Sequence, residues 1–229
     1  MISAIIVAAG KGTRMGANID KLFLDLSGRP VVAHTWQRVE ESECIDEIIL
    51  VVRDGMQPTF TELAREFNFK KPFRFALGGK ERQDSVWNGL LQLSSASEIV
   101  AIQDGARPLT AAKVFKDTVA AARQIGAAVA AQRVTDTIKE SKDGITVSGH
   151  LQRDRLWAVQ TPQTFRVDVI RRALLVVREK NLQVTDDTAA CELIGQAVKL
   201  VECTSPNPKI TTPADLHYAA TLLSLRSSN

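Results

Sequence analysis

Residues 5–16 read Ile5-Ile6-Val7-Ala8-Ala9-Gly10-Lys11-Gly12-Thr13-Arg14-Met15-Gly16, an apolar run that ends abruptly in a glycine loop carrying two cations. An unbroken apolar run suits a strand covered on both faces, which demands a sheet with layers above and below it. Glycines at its end let the backbone take φ > 0 and approach a ligand closely. Successive N–H groups in such a loop form a concave anion site. Lys11 and Arg14 would add positive charge where phosphates sit. The loop is therefore a candidate polyphosphate site, the alternative being a tight structural turn. It is neither of two better-known phosphate loops. The dinucleotide fingerprint needs G-x-G-x-x-G, and Met15 stands where the third glycine belongs. Walker A needs Gly-Lys-Ser/Thr, and Gly10-Lys11 is followed by Gly12.

Downstream, strand-like and helix-like segments alternate. Pro30 sits where a helix over Val31 to Glu41 begins. Glu47 to Val52 is the next strand, and Pro58 opens a helix to about Phe67. Phe73 to Ala76 is a short strand, and Arg82 to Leu93 is helical, with Val86, Leu90 and Leu93 on one face. Ile99 to Ile102 is apolar and strand-like and ends at Gln103-Asp104-Gly105. Thr110 reads as the N-cap of a helix to Gln124, and Gly126 as its C-cap. Ala127 to Ala131 is again a strand. The rhythm breaks over residues 134–156, where Thr137-Ile138-Lys139 and Ile145-Thr146-Val147 flank Asp143-Gly144 as antiparallel strands around a turn. This stretch has too few apolar residues for a core of its own. It reads as a projecting arm, stabilised by another subunit or standing as a bare surface hairpin. A strand over Trp157 to Gln160, a helix near Val167 to Glu179, a short helix after Thr185, a strand over Lys199 to Cys203 and a helix over Ala214 to Leu225 follow. The pattern predicts one α/β domain spanning residues 1–229, with a doubly wound, mostly parallel sheet and a projecting β-arm.

The net charge of +3 over 229 residues is too mild to argue for nucleic acid, and it suits small anionic substrates. Cys44, Cys191 and Cys203 are widely spaced and odd in number, as in a reducing compartment. The three histidines show no metal-ligand spacing, and no apolar run approaches the roughly 18 residues of a membrane span. A cytoplasmic protein without nucleic-acid or membrane partners is expected.

In open parallel sheets, ligands bind at the carboxyl ends of the strands. The glycine loop, Gly78-Gly79-Lys80-Glu81-Arg82-Gln83-Asp84-Ser85, Asp104-Gly105-Ala106-Arg107-Pro108 and Asn207-Pro208-Lys209 would converge there. Asp104 would hold a Mg2+ ion together with substrate phosphates, or cap the turn before Pro108. Arg107 would clamp a phosphate or pair with a neighbouring carboxylate. Spacing alone makes Lys21 a surface lysine, whereas Pro206 and Pro208 fix the chain around Lys209. The set suggests phosphoryl or nucleotidyl transfer. No nucleophilic Ser or Cys with a histidine base is evident, but an attacking phosphate monoester, with a second pKa of about 6, needs none.

Taken together these blocks are similar to the 2-C-methyl-D-erythritol 4-phosphate cytidylyltransferase family, a group with a Rossmann-like nucleotidyltransferase fold. The resemblance runs from end to end. It includes the residues just named and Asp136-Thr137-Ile138-Lys139, Leu156-Trp157, Thr161-Pro162-Gln163, Thr185-Asp186-Asp187 and Asn207-Pro208-Lys209-Ile210-Thr211. It implies that CTP and a sugar-alcohol phosphate react with Mg2+ to give a CDP-alcohol and pyrophosphate. Carried over residue by residue, Arg14, Lys21 and Lys209 would be catalytic. Ala8, Ala9, Gly10, Gly12, Gly79, Ser85 and Asp104 would bind the nucleotide, and Asp104 the metal. Arg107, Thr137, Thr161, Lys209 and Arg153 would hold the second substrate. Arg153 would act from the arm in the partner's site of a homodimer. Three departures from the family's usual pattern involve four positions. Asp20 and Leu22 flank Lys21 where proline and glutamine are usual. Gly105 replaces an alanine, which should loosen its turn, and Pro206 replaces an aspartate before Asn207. The similar ribitol-5-phosphate cytidylyltransferases tend towards Ser-Val-Arg-Pro, so Ala106-Arg107-Pro108 and Asp136 to Lys139 favour the methylerythritol enzyme. A non-catalytic nucleotide-binding relative is the other alternative, against which the retention of Arg14, Lys21, Asp104 and Lys209 argues.

Overall fold

A computed structural model describes residues 1–10 and 20–227. The three apolar runs form β1 (Ile2–Val7), β4 (Glu47–Val52) and β6 (Ile99–Asp104), each buried along nearly its whole length. Their strands lie side by side at the centre of the sheet, as continuous burial requires. The other strands are β2 (Asp25–Leu26), β3 (Arg29–Pro30), β5 (Phe73–Leu77), β7 (Ala127–Arg133), β8 (Lys139–Glu140), β9 (Gly149–His150), β10 (Trp157–Arg166) and β11 (Lys199–Glu202). The helices are α1 (Val31–Glu40), α2 (Gln57–Glu66), α3 (Arg82–Leu91), α4 (Ala112–Ile125), α5 (Val167–Glu179), α6 (Asp187–Glu192) and α7 (Pro213–Ser227).

Seven strands form one sheet in the order β11-β7-β10-β6-β1-β4-β5. All neighbours run parallel except β10, which is antiparallel to both β6 and β7. The expected doubly wound, mostly parallel sheet is therefore present. Strand residues alternate between its two faces. Ala4, Ile6, Ile48, Leu50 and Ala101 pack with Val32, Trp36, Phe60, Phe115 and Ala219 of α1, α2, α4 and α7. Ile5, Ile49, Val51, Val100 and Ile102 pack with Val86, Leu90, Ile170, Leu174 and Cys191 of α3, α5 and α6. No helix among the described residues is long and apolar enough to cross a membrane.

Three local expectations change. The helix α4 starts after Ala111, so Thr110 is not its cap. The Thr110 hydroxyl is buried; it donates to Asn207 Oδ1 at 2.8 Å and accepts from Gln103 Nε2 at 2.9 Å, contacts that outbid a cap. The strand from Trp157 continues to Arg166 rather than stopping at Gln160. Its pairing with β7 shifts register between Val159 and Gln163, which places Pro162 in the break, where its missing N–H costs no ladder bond. In the arm only Lys139–Glu140 and Gly149–His150 pair. Residues 145–147 are not a strand, because the Asp143 carboxylate accepts the N–H groups of Ile145 (2.9 Å) and Thr146 (2.8 Å) and folds them into a local turn. Gly126 does cap α4, with φ +97° and its N–H on the carbonyl of Ala122.

Candidate active site

The parallel register sets Val7 beside Asp104, so β1 and β6 end together and deliver the start of the glycine loop and a carboxylate to one place. Gly12 and Arg14 lie outside the described residues. The Ala8 side chain is buried and its N–H donates to the carbonyl of Val51 (2.8 Å), while Ala9 and Gly10 line a cavity of about 500 Å3. The opposite wall is the turn after β5. A Cβ on Gly78 would collide with Ala9 Cβ, and one on Gly79 with Asp84 Cβ, so both positions need glycine. The Gly79 N–H donates to Ser85 Oγ at 3.0 Å. Glu81 and Asp84 cap α3 reciprocally.

Asp104 is the centre of the site. Lys209 Nζ lies 2.9 Å from Oδ2, Arg107 Nε 3.4 Å from Oδ2 and Arg82 Nε 3.7 Å from Oδ1. Burial pushes this carboxyl up, but Lys209, Arg82 and Arg107 together outweigh it and hold the pKa at about 2. Arg82 is held in turn by Asp187, fully buried at the start of α6, whose Oδ2 accepts from Nη1 at 2.7 Å. Burial works against the charge on Arg82, and Asp187 and Asp104 more than restore it. Three cations around one carboxylate leave a positive surplus in a largely desolvated place, which suits a polyanion.

The loop carrying Lys209 is pinned from several sides. Asn207 Nδ2 donates to the carbonyl of Thr161 (2.9 Å) and to Gln160 Oε1 (3.1 Å), and Arg107 Nη1 donates to the carbonyl of Asn207 (2.6 Å). Lys21 is no surface lysine: it lines the cavity, and its Nζ donates to the carbonyl of Ile210 at 2.9 Å. The Thr161 hydroxyl accepts the N–H of Asp104 at 3.0 Å. Gly105 does not loosen its turn: its N–H donates to the Val7 carbonyl (3.0 Å), and its own carbonyl accepts from Thr35 Oγ1 (2.9 Å).

A second cavity of about 260 Å3 lies across the cluster, lined by Arg107, Gln160, Thr161, Thr185 and Asp186. Arg82, Asp104 and Lys209 line both cavities and form the partition. The chain thus brings together Ala9, Gly10, Lys21, Gly79, Ser85, Asp104, Arg107, Thr161 and Lys209. It does not bring Thr137 or Arg153 to them. Both are exposed on the arm, and Arg153 Nη1 donates to the carbonyl of Thr135 (2.7 Å). Arg82 and Asp187 escaped the sequence reading. The available signal was the position of Arg82, in the block after β5 that also carries Ser85. No group of three or more His, Cys, Asp or Glu among the described residues could hold a metal ion. A single ionised carboxylate facing a phosphate-sized cavity still fits Mg2+, which binds through one or two carboxylates and substrate phosphates.

Comparison with known proteins finds relatives along the whole chain. The family profile described as 2-C-methyl-D-erythritol 4-phosphate cytidylyltransferase matches residues 2–225. Relatives of that name from Alkaliphilus oremlandii and Geobacillus kaustophilus are 44% and 42% identical; the first alignment covers 98% of this chain and 95% of the relative, the second 97% of each. The crystal structure of 4-diphosphocytidyl-2C-methyl-D-erythritol synthase from Anaerococcus prevotii superposes with a TM-score of 0.86 at 32% identity, covering 97% of this chain and 98% of that one. The 2-C-methyl-D-erythritol 4-phosphate cytidylyltransferase of Thermus thermophilus superposes with a TM-score of 0.80 at 28% identity, covering 98% and 100%. Matched over nearly its whole length in sequence and in fold, this chain belongs to the 2-C-methyl-D-erythritol 4-phosphate cytidylyltransferase family.

Proposed function

We propose that this protein transfers the cytidylyl group of CTP to 2-C-methyl-D-erythritol 4-phosphate, giving 4-diphosphocytidyl-2-C-methyl-D-erythritol and pyrophosphate. The observation that carries the reading is the partition of Arg82, Asp104 and Lys209 between two cavities of unequal size. The larger takes CTP. Backbone at Ala8, Ala9, Gly10 and Gly79 and the Ser85 hydroxyl hold the nucleotide, with Gly12 and Arg14 contributed by the glycine loop. The smaller takes the alcohol phosphate, next to Thr161 and Arg107. Arg107 also acts at one remove, by fixing the Asn207 carbonyl and with it the loop of Lys209.

The acceptor phosphate attacks the α-phosphorus of CTP across the partition. A bond from that oxygen to phosphorus forms, and the bond from phosphorus to the bridging oxygen of pyrophosphate breaks. With a second pKa of about 6, the attacking monoester is already ionised and needs no base. Lys21 and Lys209, which both line the larger cavity, offset the charge that gathers on the α-phosphoryl oxygens, the main work of such a site. Mg2+ held by Asp104 and the triphosphate would supply further neutralisation when bound. Thr137 and Arg153 reach the second substrate from the arm of a partner subunit. Ile145 and Val147 on that arm are 89% and 68% exposed, apolar surface that a homodimer would cover. Both substrates are water-soluble, in keeping with a cytoplasmic enzyme.

The test is pyrophosphate release from CTP and Mg2+, with methylerythritol 4-phosphate and ribitol 5-phosphate supplied in parallel. Release with the first and not the second is expected. Release with ribitol phosphate alone would replace the acceptor, and release with neither would overturn the reading.

A further inference from the structure

Asp20 stands directly before Lys21, where the family usually has proline. A bare carboxylate there would repel a triphosphate and compete with it for the lysine. The surroundings of Asp20 dispose of that charge. Its Oδ2 pairs with Nη2 of Arg53, the residue that follows β4. Its Oδ1 accepts the N–H of Leu22 at 3.1 Å, and its carbonyl accepts the N–H of Phe23 at 3.0 Å. The other arm of the guanidinium, Nη1, reaches the carbonyl of Gly10 at 3.4 Å. Neither Asp20 nor Arg53 is among the described residues that line the nucleotide cavity, whereas Lys21, Leu22 and Gly10 all are. About a quarter of each partner's side chain is exposed, so the pair is only partly screened by water.

We propose that Arg53 is a positioning residue for the triphosphate: it neutralises Asp20 and turns its carboxylate out of the cavity, so that Asp20 does not compete with CTP for the charge of Lys21. In this chain an ion pair between the residue after β4 and the residue before Lys21 takes over from the proline that the family usually has. The proposal rests on the cytidylyltransferase reading and concerns only its nucleotide side.

The experiment uses the full-length protein and three variants, Arg53→Met, Asp20→Asn and the double variant. CTP affinity is measured by calorimetry with Mg2+, and KM values for CTP and for the alcohol phosphate by pyrophosphate release. Arg53→Met uncovers a negative charge and is expected to weaken CTP binding about tenfold, with the KM of the alcohol phosphate within about twofold of wild type. The defect should shrink at high ionic strength. Asp20→Asn alone should bind CTP nearly as wild type does, and in the double variant affinity should recover to within about twofold. A loss in Asp20→Asn equal to that in Arg53→Met, or a double variant no better than Arg53→Met, would reduce the pair to structural support and overturn the proposal. Unchanged CTP affinity in Arg53→Met would overturn it too. A wild-type protein that binds no CTP would overturn the cytidylyltransferase reading itself, and this proposal with it.

Discussion

Replacing Asp104 with asparagine keeps the shape of the central side chain and removes its charge. The three cations around it hold the carboxyl at about 2, against an ordinary 3.8. At about 1.36 kcal/mol per pH unit, that gap is worth roughly 2 kcal/mol of folding free energy. The folded pKa lies below the unfolded one. The contribution is therefore complete above 3.8 and disappears as pH falls through about 2. Asp104→Asn lacks it at every pH and leaves Arg82, Arg107 and Lys209 facing one another. Urea denaturation at pH 7 should show the variant less stable by about 2 kcal/mol. The difference should narrow steadily below about pH 5, because the carboxyl of the unfolded wild-type chain then begins to protonate while the folded one stays ionised down to about pH 2. Other acidic groups titrate in both proteins and cancel in the comparison. The same variant should lose at least about 100-fold in pyrophosphate release, the usual scale for removing one charged partner of a transferring group. A stability gap that stays constant between pH 7 and pH 3, or no gap at pH 7, would refute the claim that these cations act on this carboxylate.

Lys21→Ala removes the charge proposed to act on the α-phosphoryl group and should lower kcat on the order of 100-fold; near-normal turnover with weakened CTP binding would take Lys21 out of that role. Arg153→Ala should raise the KM of the alcohol phosphate far more than that of CTP, and equal effects in steady-state kinetics would count against a site completed by the partner's arm. Ile145→Asp with Val147→Asp places charge on the most exposed apolar positions of the arm; sedimentation should show a shift from dimer to monomer, and an unchanged dimer would move the interface elsewhere.

Much of the fold is written locally. Ile5 to Val7, Ile48 to Val52 and Ile99 to Ile102 are apolar without alternation, and only the centre of a covered sheet can bury such strands on both faces. Gly126 ends α4 because a left-handed residue is needed there, and glycine adopts it without strain. The loops at the carboxyl ends of the central strands likewise announce where a ligand binds. These features depend on neighbours within a turn or two of chain, which is the range that periodicity and capping rules can read.

Other features depend on packing between distant segments. Thr110 has the right chemistry for a helix cap, but Asn207 and Gln103 claim its hydroxyl once the loop at 204–212 folds over β6. Lys21 looks like a surface lysine until that same loop brings the Ile210 carbonyl to it. Arg82 meets Asp187 across 105 residues, and Asp20 meets Arg53 across 33. Outside the arm, the sequence by itself determined the main strands and helices and the cluster of basic loops, because burial patterns and backbone preferences are local. Only the tertiary structure decided which cation faces which carboxylate, because a charge is held by whatever the packed sheet and its crossovers set within a few ångströms of it.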